Sequence, residues 1–159
     1  DSVGGVDDTS FLYIQNELPN ILSTDGNYKD PHKGFLAYTF YLKNNGQAVV
    51  DLDFTYTIKQ VGRGTEEAIR FLLIENDTIQ RIYYKPDDHS NAYLHLYDEI
   101  EPIPFSNTTI FNQTISGFAP REEKKYTIII YLEGADPDCN DAMLGGSLRT
   151  EMVFKISEE

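Results

Sequence analysis

The run from Val50 to Lys59 constrains this chain more than any other segment. Val50, Leu52, Phe54, Tyr56 and Ile58 alternate with Asp51, Asp53, Thr55, Thr57 and Lys59. Side chains on a strand point to opposite faces in turn, so this pattern buries one set and leaves the other in water. Upstream, Phe35 to Leu42 is apolar or aromatic at nearly every position. Such a run suits a strand covered on both faces. Asn44-Asn45-Gly46 stands between the two. Asn and Gly adopt positive φ at little cost, so the spacing predicts a tight turn and an antiparallel hairpin.

The remaining segments repeat the theme. Phe11 to Ile14 is a short apolar run that reads as a strand, and Pro19 to Pro31 reads as loop with a turn at Asp25-Gly26-Asn27. Ala68 to Ile74 has an ambiguous period, but Asn76-Asp77 turns it into a second β-rich run, Thr78 to Tyr84, which favours a strand. Lys85 to Ser106 holds three prolines and reads as a long connection with a short strand around Tyr93 to Leu96. Thr108 to Ile115 alternates weakly, and Gly117 to Lys124 is a loop. Tyr126 to Leu132 is β-branched and apolar, the mark of a central strand. A last alternating run carries Leu148, Thr150, Met152, Phe154 and Ile156. Short strands with turn chemistry between them, and no long amphipathic helix, predict an all-β fold: a two-sheet antiparallel sandwich, jelly-roll or immunoglobulin-like Greek key. Residues 1–10, rich in Gly and Asp, are expected as a flexible tail, and 11–159 as a single domain. Phe54 and Ile130 belong to the expected core.

Charge and cysteine usage exclude several classes. The formal net charge of −13 repels phosphate backbones and anionic lipid surfaces, so nucleic acid is not an expected partner. No apolar run reaches membrane-spanning length, so no direct membrane insertion is expected from this chain. The single cysteine, Cys139, cannot form an intramolecular disulfide, which excludes a disulfide-stapled scaffold. The chain begins at Asp1 without Met, as expected after removal of an export signal or after trimming.

Catalytic constellations are not evident. His32, His89 and His95 lack zinc-site spacing. Asp136, Asp138 and Asp141 surround Cys139, and negative charge disfavours a thiolate. There is no G-x-S-x-G elbow. Carboxylate pairs are uninformative among 26 acidic residues. Asp136, Asp138 and Asn140 have the spacing that opens a calcium loop, but Asp141 replaces its sharp-turn Gly and Ser147 its bidentate Glu. Calcium is therefore a candidate only in a looser site. The competing reading has Asp136 and Asp138 holding backbone N–H groups while Asn140 or Asp141 caps one helical turn. Tyr83, Tyr84, Tyr93 and Tyr97 flank the long connection. Tyr93 and Tyr97 are candidates for carbohydrate or peptide binding, against the alternative that these tyrosines pack the connection onto a sheet.

Three motifs carry a family resemblance: Tyr131-Leu132-Glu133-Gly134, then Asp136-Pro137-Asp138-Cys139-Asn140-Asp141, then Leu144-Gly145-Gly146 before a Met/Phe-rich last strand. Upstream, Tyr38 to Asn44 and Ala68-Ile69-Arg70 fit in order. This arrangement resembles exported proteins of Gram-positive bacteria related to the TasA and camelysin group of matrix proteins, distinctively so in residues 125–156. The resemblance implies a jelly-roll-type sandwich, export, and a secreted or cell-envelope location in a biofilm-type matrix. It also implies self-association or association with other surface proteins by strand donation. From the residues themselves no cofactor is expected, calcium in the looser site apart. Phe11, Leu12, Tyr13 and Ile14 are the candidate donor strand. The protease activity described for camelysin does not carry over, because its chemistry has no counterpart in these residues. The expected function is an exported, non-enzymatic structural or adhesive protein. The alternative is a carbohydrate- or peptide-binding surface module.

Overall fold

The computed structural model describes residues 8–30, 35–60, 69–86, 100–105, 108–132 and 149–157. Among the described residues, one helix, α1 (Asp8–Leu22), precedes nine strands. These are β1 (Gly26–Tyr28), β2 (Phe35–Lys43), β3 (Val50–Gln60), β4 (Ile69–Glu75), β5 (Ile79–Tyr84), β6 (Glu101–Pro104), β7 (Thr109–Phe118), β8 (Glu123–Leu132) and β9 (Arg149–Ile156). They form a six-stranded sheet in the order β1-β2-β8-β4-β5-β6 and a three-stranded sheet in the order β7-β3-β9. The two pack face to face as an all-β sandwich. Every pairing is antiparallel except β5 with β6, which is parallel.

The alternating run forms β3, with Phe54, Tyr56 and Ile58 buried. Its predicted hairpin with β2 does not form. β2 pairs with β1 and β8 in the large sheet, whereas β3 pairs with β7 and β9 in the small one. Residues 44–49 are an arch between sheets. The reason is burial: Phe40 meets Phe54 edge-on from the opposite sheet, 6.0 Å between ring centroids. Facing strands bury both apolar surfaces against each other, which side-by-side strands of one sheet do not. The Asn76-Asp77 hairpin does form: three residues, 76–78, join the strands, Asn76 and Asp77 take positive φ, and the Thr78 N–H donates to the Glu75 carbonyl. β8 lies centrally, between β2 and β4.

Further expectations are corrected. The Phe11 to Ile14 run is helical rather than extended, and α1 continues through Pro19 into the segment read as loop. Asp8–Ser10, expected in the tail, form its first turn. β1 and β6 are strands the sequence reading lacked, and Gly26 and Asn27 of the expected Asp25-Gly26-Asn27 turn lie in β1, Gly26 with positive φ (73°). β2 is covered fully on one face only: Phe35, Ala37 and Thr39 are buried, whereas Leu36 and Tyr38 are exposed.

α1 explains that asymmetry and the composition of β4. Ile14 and Ile21 of α1 are buried with Phe35, Ala37, Leu72, Ile74, Ile82 and Ile129 on the outer face of the large sheet. Ile69, Phe71 and Leu73 point the other way, into the aromatic core between the sheets. A strand covered on both faces loses its alternation, and β4 is apolar throughout apart from Arg70 and Glu75. Arg70 is itself buried, with its guanidinium carbon 5.8 Å from the centre of the Tyr84 ring.

The helix is fastened at both ends. Lys125 Nζ donates to the Leu22 carbonyl at 2.5 Å and pairs with Asp77 at 2.8 Å. α1 has no basic residue in its last turn, so β8 supplies the cation that the helix C-terminus favours. The Tyr13 hydroxyl donates to Asp30 (2.8 Å) and the Tyr28 hydroxyl to Glu17 (3.0 Å), joining α1 to the β1 region. Both tyrosine pKa values are raised, first by burial and then by these bonds to carboxylates.

Candidate functional site

The small sheet crosses the large one obliquely, and the site follows from that crossing. Near one end Tyr56 packs on Phe71 (5.8 Å) and Phe111 on Tyr83 (5.1 Å), so β3 lies over β4 and β7 over β5. Further along, Phe54 packs on Tyr126 (5.3 Å) and Phe154 on Phe40 (6.0 Å), so β3 has moved over β8 and β9 over β2. Such an angle is ordinary for twisted sheets. Its consequence is a ledge. Leu36 shares a row with Ile130 and Phe71, and Tyr38 with Ile128 and Leu73. At those rows β9 no longer reaches β2, and Leu36 is 45% and Tyr38 43% exposed.

The wall of the ledge is the outer edge of β9, with which no strand pairs among the described residues. The backbone bond from Ser157 N–H to the Asp51 carbonyl fixes which groups face which way. In an antiparallel pair hydrogen-bonded residues alternate with non-bonded ones. Given the Leu52–Ile156 register, the N–H and C=O groups of Thr150, Met152, Phe154 and Ile156 therefore point away from β3. The side chains of the same residues face inward. Thr150 accepts from the Tyr56 hydroxyl at 2.9 Å, and Phe154 stacks on Phe54 at 4.4 Å. Burial pushes the Tyr56 pKa up to about 12. Although inward-facing, Phe154 is 37% and Ile156 58% exposed, because nothing described lies beyond β9. Lys59 and Glu151 make a 3.8 Å ion pair on the outer face, half exposed and of little energetic weight.

The other edges are blunted. β1 has only three residues. In β6 the Phe105 N–H reaches the Tyr84 carbonyl, which places the prolines at 102 and 104 where their missing N–H groups would face outward. β7 carries polar, exposed Asn112, Thr114 and Ser116, and its pairing with β3 has two irregularities. Among the described residues, β9 is the edge left long, in unbroken register from Thr150 to Ile156 and with Met152, Phe154 and Ile156 on its inward face, the kind that accepts another strand.

Of the residues singled out from sequence, those described do not lie at the ledge. Phe11, Leu12, Tyr13 and Ile14 lie on α1, with Tyr13 bonded to Asp30 and Ile14 buried against the large sheet. Tyr83 and Tyr84 are buried on β5, Tyr83 against Phe111 of the other sheet. Tyr93, Tyr97, Asp136, Asp138, Asn140, Cys139 and the histidines lie outside the described residues. Among the described residues, no cluster of three or more His, Cys, Asp or Glu side chains forms a metal site. No described helix is long and apolar enough to cross a membrane. Leu36 and Tyr38 were missed: their uninterrupted apolar run reads as buried, and only the crossing angle uncovers them. No protein-family model, curated protein or solved structure matches the chain.

Proposed function

We propose that this chain is an exported, non-enzymatic structural or adhesive protein of the cell surface or extracellular matrix, akin to the TasA and camelysin group, which assembles by taking up an extended strand on the ledge beside β9. The observation that carries this reading is the ledge itself. The outward backbone groups of Thr150, Met152, Phe154 and Ile156, which pair with no strand among the described residues, stand beside the exposed Leu36 and Tyr38. One strand laid there satisfies the former and buries the latter. The acidic surface supports solubility outside such an assembly. The donor is not the 11–14 segment as it stands, since releasing it would strip Ile14 from the outer face.

Sedimentation velocity across a range of concentrations tests the reading. Wild-type protein is expected to form higher species, alone or with a matrix partner. Leu36→Asp, which charges the ledge without entering the core, should remain monomeric with an unchanged melting temperature. Equal assembly by wild type and Leu36→Asp, or no assembly by either, overturns it. The second reading rests on the exposed Tyr38 ring beside Asn27, its neighbour on β1. Aromatic and amide groups on one sheet face suit a sugar, and glycan-array binding lost in Tyr38→Ala would favour it.

A further inference from the structure

The arch between the sheets carries a second, independent feature. Asn45 and Gly46 form the one Asn-Gly pair in the chain, and both are exposed. Asn44, beside them, is held. Its Nδ2 donates to the carbonyls of Ala48 (3.0 Å) and Phe118 (2.9 Å), while its backbone pairs with Glu122 and Arg121. Its Oδ1 accepts the Gly46 N–H at 2.9 Å, closing an Asx turn. Asn45 has no hydrogen bond among the described residues.

We infer that Asn45 is a site of spontaneous covalent modification, and that Asn44 sets its rate. The Gly46 backbone nitrogen attacks Cγ of Asn45. A C–N bond forms, the bond from Cγ to the side-chain nitrogen breaks, and ammonia leaves with the proton from Gly46. Water then opens the resulting succinimide at either carbonyl, leaving aspartate or isoaspartate. Gly46 permits the attack because it has no Cβ to crowd the ring. The bond to Asn44 opposes it by directing the Gly46 N–H away from Asn45. At other exposed asparagines a side chain follows, as at Asn16 before Glu17 and Asn112 before Gln113. Modification adds a negative charge and, as isoaspartate, an extra backbone atom between Asn44 and Gly46. The Asx turn cannot close over that insertion, so the product loosens the link between the sheets.

Peptide mapping by mass spectrometry, with enzymatic isoaspartate detection, tests this on the full chain in mildly alkaline buffer. Conversion is expected first at Asn45, and slower in the folded protein than in urea by about five-fold, the factor carried by one hydrogen bond of about 1 kcal/mol. Asn44→Ala should raise the folded rate towards the urea rate and leave the urea rate unchanged. Earlier conversion at Asn16 or Asn112 overturns the site. Equal rates for wild type and a folded Asn44→Ala overturn the role of Asn44. Should that variant not fold, hydrogen exchange at Gly46 in the wild type decides: an unprotected N–H overturns that role and a protected one upholds it.

Discussion

Ile21→Ala tests whether the N-terminal segment belongs to the monomer's own fold. Ile21 is 0% exposed and sits with Leu72, Ile74, Ile82 and Ile129 beneath α1. Truncating a buried Ile to Ala costs about 2–5 kcal/mol through lost transfer energy and the cavity left behind. The lower part of that range applies, because α1 touches the sheet on one side only and can settle towards it. About 2–3.5 kcal/mol is therefore expected, read as a lowered urea midpoint at unchanged slope. For a chain of this size that is a fall in Tm of roughly 5–12 °C. Asn16→Ala, on the exposed face of the same helix, serves as the control and should stay within about 0.5 kcal/mol. A neutral Ile21→Ala would refute the argument that α1 covers the large sheet. It would return the N-terminal segment to the role of a free donor.

Other consequences follow from the same contacts. Phe54→Ala, at the junction of Phe40, Phe111, Tyr126 and Phe154, should cost about 3–5 kcal/mol in urea unfolding, and the half-buried Ile130→Ala less. Lys125→Met should cost about 1 kcal/mol by removing the cation at the α1 C-terminus, and the loss should register as faster amide exchange in the last helical turn. Tyr56 keeps its proton to about pH 12 when folded but loses it near 10.0 when unfolded. Its contribution is thus complete below the lower value and disappears as pH rises through the higher one. Unfolding followed by tyrosinate absorbance should show about 2–3 kcal/mol lost over that interval, with Tyr126, also raised by burial, adding to it.

Strand existence was legible where a local rule decided it. Alternation located β3, β-branched density located β8, and Asn76-Asp77 located the β4–β5 hairpin. Pairing was not legible, because Asn44-Asn45-Gly46 has the composition of a hairpin turn and yet spans two sheets. The choice lay with Phe40 and Phe54, far from the turn. α1 had a signal, since Phe11, Ile14, Leu18 and Ile21 stand at helical spacing. Pro19 masked it by resembling a stop. The apolar run of β4 indicates burial on both faces, and so requires a layer outside the sandwich that α1 fills. The ledge had no comparable signal, because the exposure of Leu36 is a property of how two sheets cross.

The same crossing limits what the ledge can accept. The large sheet runs past β9, with β2 and β1 beneath the space where a next strand would lie. A second copy docking through its own β9 would bring its own β2 and β1 into that space, and the two large sheets would collide. A lone extended segment has no such layer attached, and it reaches both the outward backbone groups and the Leu36–Tyr38 floor. The proposed assembly is therefore better matched to donation by a segment projecting from its domain than to symmetric pairing of two intact domains at β9. Such a donor must also leave its own sandwich intact. The 11–14 segment does not meet that condition, because Ile14 is built into the outer layer of its own large sheet.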